Sequence, residues 1–190
     1  MTMRRLLPIL LLAGCSFFSR SQSKFYSLDR IPPATPVAPT RVVGVPIAID
    51  GIELPPGADR REVVVRQADH QLQVRSAEQW TASLQPLVLH TLAFDLAARL
   101  PEGMVILPGA VRPAGAARSV DVVLEELGAG PTNVVVLDGR WSVHESGRAS
   151  QTHHERITVD VASLDSVNVA TGMSQALGML ADRMAAQLAR

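Results

Sequence analysis

The sequence predicts an α/β domain of the α+β type: a mixed, largely antiparallel sheet with two main helices packed against it. Three observations carry this. Apolar residues alternate with polar ones through Val120–Leu124, Val135–Val143 and Ile157–Val161, which is the two-residue period of strands with one buried face. Met173, Leu177, Leu180, Met184 and Leu188 fall on one narrow stripe at helical spacing. The order of segments, strands then helix then strands then helix, is that of a sheet covered by helices.

At 190 residues the chain holds one ordinary domain plus a leader and a tether. Apolar residues make up 47% of it and aromatics only 4%, so aliphatic side chains must fill the core. Eighteen basic residues balance eighteen acidic ones, with no polybasic block, which argues against nucleic acid as a partner.

The first segment, residues 1–14, reads as a signal peptide. Arg4 and Arg5 precede a short apolar run from Leu6 to Ala13, too short for a membrane-spanning helix, which needs about 20 residues. Leu12, Ala13, Gly14 and Cys15 resemble the lipobox of bacterial lipoproteins. Small residues at 13 and 14 admit the peptidase, and the Cys15 thiol takes a diacylglyceryl group. The amine freed by cleavage is then acylated as well. Two buried chains give stable anchoring, each methylene contributing about 0.8 kcal/mol. Cys15 is the only cysteine, so no disulfide forms within the chain. Ser16 stands where an aspartate would signal retention at the inner membrane, which favours the outer membrane with the domain facing the periplasm.

Residues 15–39 follow as a lipidated N-terminus and a Pro/Ser-rich tether. Pro32, Pro33, Pro36 and Pro39 favour extended backbone. Within the tether, Phe25-Tyr26-Ser27-Leu28 forms an apolar island suited to a short strand. A single globular domain spans 40–190. Val43, Val45, Ile47 and Ile49 alternate as a strand, and Pro46 within it points to an edge or a bulge. Val63–Arg66 and Leu72–Val74 read as two strands joined through Ala68-Asp69-His70.

A first helix is expected to begin near Ser76, where Ser76 and Gln79 have capping-box spacing. Trp80, Leu84, Leu87, Thr91, Phe94 and Ala98 share its broad face. Pro86 either kinks this helix or lies in its true first turn. Pro101 and Gly103 end it, and Met104–Leu107 suits a short strand. Gly128–Pro131 and Glu145–Arg148 read as turns. Asp138-Gly139 suits a tight hairpin turn, but the two-residue period continues on both sides and favours an unbroken strand. Asn168 is placed to cap the last helix. Its apolar stripe reads as core-facing, with a partner-binding surface as the alternative.

Read together, these pieces resemble the ABC-type transport auxiliary lipoproteins, the PqiC-type envelope lipoproteins among them. The resemblance rests on the lipobox at Cys15, on Tyr26 and Leu28, and on Val42–Pro46 leading to Leu54-Pro55. It continues through Asp59–Arg66, Trp80 with Leu84, Val135-x-Leu137-x-Gly139-x-Trp141 and the alanine-rich last helix. Gln79 and Ala82 or Ser83 depart from the family's polar residues beside the tryptophan. Members accompany lipid-transport machines built from MCE-domain proteins, a permease and an ATPase. The resemblance therefore implies an accessory subunit that supports membrane integrity. Its partners would be an MCE-domain protein and, through lipidated Cys15, outer-membrane lipid; a homo-oligomeric ring is compatible with such docking. A stand-alone envelope lipoprotein is the competing reading.

Enzymatic readings find little support. No Gly-x-Ser-x-Gly elbow, phosphate loop or dinucleotide fingerprint occurs, so no catalytic residue and no cofactor is expected. His153 and His154 are adjacent and point to opposite faces of a strand, and no metal is expected. His144 lies across a hairpin from them. Asp121, Glu125 and Glu126 read as a solvated face. Trp80 and Trp141 read as core residues, with an apolar groove for an acyl chain or partner strand as the alternative.

Overall fold

A computed structural model describes residues 22–34, 45–112 and 118–188. Within them run β1 (Lys24–Tyr26), β2 (Ile47–Glu53), β3 (Glu62–Arg66), β4 (Leu72–Trp80), α1 (Leu84–Ala97), β5 (Val105–Ile106), β6 (Arg118–Gly130), β7 (Val134–His144), β8 (Gln151–Asp160) and α2 (Ser166–Leu188). The eight strands form one mixed sheet. Its long ladders, β6–β7 and β7–β8, are antiparallel. The short pairings of β1 with β4, β2 with β5 and β6, and β3 with β6 are parallel.

The thirteen-residue β6 organises the sheet. One of its edges is taken along nearly its whole length by β7, from Ser119 opposite His144 to Gly130 opposite Val134. A strand has only two edges, so β2 and β3 must share the other one. β2 takes the first half, Arg118 to Val123. β3 touches only the far end, Val65 opposite Ala129. Asp138-Gly139 lies inside continuous β7, where an added Cβ at Gly139 would collide with the Val123 carbonyl and Leu124 of β6. Glycine is there because two backbones meet.

Both helices cover one face. Val120, Val122, Leu124, Val135, Leu137, Trp141 and Ile157 are buried beneath them. The last helix carries its predicted stripe inward: Met173, Leu177, Leu180, Met184 and Leu188 are all buried. Gly172 lets α2 approach closely, since a Cβ there would stand 2.7 Å from Val135 Cγ2.

Several local expectations are corrected. No helix begins at Ser76, because β4 runs on through Trp80 and the helix starts at Leu84. Trp80 therefore closes a strand. The Ser76–Gln79 spacing serves an irregular stretch of that strand, where the Gln79 side chain donates to the Ser76 carbonyl at 3.3 Å. Pro86 sits in the first turn, where a missing N–H costs nothing. The buried face of α1 is Leu84, Val88, Thr91, Leu92, Asp95 and Leu96. Asn168 does not cap α2. Asp165 does, accepting the Asn168 N–H at 2.8 Å, and hydrogen bonds from the Ser163 hydroxyl and that N–H hold its carboxyl below the usual range. β2 begins at Ile47 and runs to Glu53, with an irregularity between Ile49 and Gly51, while Pro46 precedes it and Val43 lies outside the described residues.

The start of the expected tether is docked. Leu28 is buried, Asp29 N–H donates to Ser174 Oγ at 2.9 Å, and Ile31 N–H donates to Asp95 Oδ1 at 2.8 Å. The Arg30 guanidinium stands 3.4 Å over the Phe94 ring. Ile31 rests where Gly178 leaves room on α2, and its carbonyl accepts from Arg99 Nη1 at 2.9 Å. This strap ties α1 to α2. Arg99, itself buried, also reaches Asp182 at 2.6 Å. Residues 35–39 lie outside the described residues.

Candidate functional site

The uneven sharing of the β6 edge creates an apolar-floored cleft. β2 leaves β6 after Val123 and β3 meets it only at Ala129. Between those points the two strands stand apart, and a cavity of about 130 Å³ opens between them. Val64 and Leu72 form one wall, and Leu127, Gly128 and Ala129 the other. Trp80, Leu84 and Met173 make an apolar floor, and the turn Pro55–Ala58 covers one side. Asp59 fixes that turn to α1 by accepting the Gln85 N–H at 2.9 Å, and the Gln85 side chain returns a bond to the Ile52 carbonyl at 2.7 Å.

Charge lies at the rim. Glu62, Arg66, Glu125 and Glu126 line the opening. Arg66 binds Glu126 at 3.0 Å and Arg140 binds Glu125 at 3.0 Å. Glu62 has no ion-pair partner among the described residues.

The open face of β6, β7 and β8 carries the carboxylates that the sequence assigned to solvent. Glu125, Asp138 and His154 bring one ligand atom each within 4.8 Å of one another. Arg140 pairs with Glu125, and Arg156 and His154 pair with Asp138. Two guanidiniums already neutralise this group, and a divalent cation would have to displace them. The histidines do not converge. His144 contacts Asp121 at 3.2 Å and Ser150 at 2.8 Å, His154 faces Asp138, and His153 stacks on Trp141 with ring centres 4.3 Å apart.

Of Tyr26, Leu28, Arg66, Trp80, Leu84 and Trp141, the cleft gathers Arg66, Trp80 and Leu84, together with Glu125 and Glu126 of the predicted acidic face. Tyr26 lies beside it, opposite Trp80 in the β1–β4 pairing, its carbonyl accepting the Thr81 N–H at 2.8 Å. Leu28 belongs to the strap. Trp141 sits apart, buried against His153. Its indole N–H has no acceptor among the described residues. Leu12, Ala13, Gly14 and Cys15 lie outside the described residues. Sequence reasoning missed Val64, Gly128 and Met173 as members of one site, because no local pattern says that two neighbouring strands diverge.

Comparison with known proteins gives the fold and the family. The family model for the ABC-type transport auxiliary lipoprotein component matches residues 26–185. A crystal structure of an uncharacterised protein is similar in fold, with a TM-score of 0.72 at 14% identity, covering 88% of this chain and 99% of that one. A Xanthomonas campestris protein of the DUF330 family gives a TM-score of 0.64 at 13% identity, covering 87% and 98%. No curated protein matches the chain.

Proposed function

Because the chain belongs to the ABC-type transport auxiliary lipoprotein family, we propose that it is the lipid-anchored, outer-membrane accessory subunit of an MCE-type lipid transporter. The observation that carries this reading is the family match over 26–185 together with Leu12-Ala13-Gly14-Cys15 just upstream of it. Acyl chains on Cys15 hold the domain at the membrane surface, and the domain grips the periplasmic end of an MCE-domain protein. The ATPase is a separate polypeptide, since no phosphate loop occurs in this sequence. A non-catalytic role suits the arginine-paired carboxylates Glu125 and Asp138 and the small apolar cleft.

Co-purification tests it. Tagged at its C-terminus and extracted from membranes, the protein should retain an MCE-domain partner, and its deletion should raise permeability to bulky antibiotics. Failure to associate while the partner's own assembly stays intact would reject the reading in favour of a stand-alone envelope lipoprotein.

A further inference from the structure

We propose that the split between β3 and β6 is a docking slot for an extended peptide of the transport partner. That segment would carry one apolar side chain into the cleft and one basic side chain to Glu62. This rests on the accessory-subunit reading for the source of the peptide.

Three observations choose a peptide over a lipid or a small substrate. The first is the backbone. From Leu124 to Gly128, the β6 edge turned away from β7 has no strand partner among the described residues. The β6–β7 ladder is irregular between Leu124 and Glu126, and the outward N–H and C=O groups that this edge carries up to Gly128 are ones an added strand satisfies and a hydrocarbon chain does not. The second is size. The cavity of about 130 Å³ falls well below the roughly 300–1,000 Å³ of ordinary small-molecule sites. It has room for a side chain over Trp80, Leu84 and Met173. The third is charge. Arg66, Glu125 and Glu126 are already paired, which leaves the Glu62 carboxylate to receive a cation.

Gly128 supplies the test. A Cβ built there meets nothing within 4 Å, and its φ is not in the left-handed region, so the backbone at the slot's edge accepts a side chain. The full lipidated chain in phosphatidylethanolamine–phosphatidylglycerol nanodiscs is mixed with the purified periplasmic region of the MCE-domain protein. Amide exchange and affinity are then read together. Alternate amides of 124–128 should slow at least tenfold on binding, and Gly128→Trp should weaken binding at least tenfold while Gly128→Ser binds nearly as the parent does. Overlapping synthetic peptides from that region then locate the segment.

If the partner binds with exchange at 124–128 unchanged and Gly128→Trp binds as the parent, the slot proposal falls and the accessory reading stands. If the partner does not bind at all, both fall. If those amides are already slow without partner and deleting residues 16–21 frees them, the chain's own tether is the occupant and the proposal is overturned.

Discussion

At the scale of single residues, Asp95 and Arg99 are the least expected members of the core. Both are buried beside the strap, Asp95 in the last turn of α1 and Arg99 just past its end. Burial pushes the Asp95 carboxyl up to about 6, against the hydrogen bond from Ile31 N–H and the nearby Arg99 and Arg30 guanidiniums, with Asp182 adding to the rise. The folded protein thus holds this proton more tightly than the unfolded chain does. The resulting stabilisation is complete below the ordinary value of 3.8 and is lost as pH rises through about 6. The shift corresponds to at most about 3 kcal/mol, at about 1.4 kcal/mol per unit. Asp95→Asn keeps an acceptor for Ile31 and removes the titration. Urea titrations from pH 4 to pH 7 should show the stability difference between variant and parent changing across that window, in the variant's favour as pH rises. A constant difference would mean that Asp95 is not the group responsible. The sequence hinted at this site only through the four-residue spacing of Asp95 and Arg99. That spacing usually marks an exposed helix pair, and nothing local shows that a strap covers it.

Individual elements are decided by their ends and their closest approaches. The α2 stripe was legible because helical periodicity reports the buried face directly, whereas its start was misplaced by three residues. Asp165 and Asn168 are both good capping types, and only the backbone geometry chooses between them. Asp165→Ala should lower the denaturant midpoint, and Asn168→Ala should lower it less. Gly178 marks the seat of the strap, since a Cβ there would stand 2.7 Å from Ile31 Cβ. Gly178→Val should therefore loosen residues 28–31 and cost about 1–3 kcal/mol. Faster exchange at Ile31 N–H, with α2 itself still protected, would locate the damage. The start of α1 was misread for a related reason. Ser76 and Gln79 satisfy a capping rule, but β4 is held between β3 and β1 as far as Trp80, and sheet pairing outweighs a local signal worth about 1 kcal/mol.

For the molecule as a whole, the N-terminus and the domain are read in different ways. Cys15→Ser should leave an uncleaved precursor, seen as a larger band without lipid label and displaced from the outer membrane. Normal processing and sorting of that variant would remove the anchor from the account. The domain's position would then follow from its tether. Gln22 is the first described residue and Lys24 already pairs in the sheet, so few residues separate Cys15 from the folded body. The strap extends that attachment from the sheet edge across both helices, joining the N-terminal segment to the core.

The α/β class, the middle strands and the buried stripe of the last helix were determined by the sequence, and the proposed leader and lipobox are read from it in the same way. Each is written in neighbouring residues, as a charge, a hydrophobic period or a short motif, and periodicity fixes which face is buried. The tertiary structure alone decided the rest. That includes β6 sharing one edge between two strands, the cleft this leaves over Trp80, and the docking of Ile31 between two helices beside Asp95 and Arg99. These features depend on which distant segments run side by side. Pairing of that kind is set by the fit of whole elements against one another, and no local window of residues contains it.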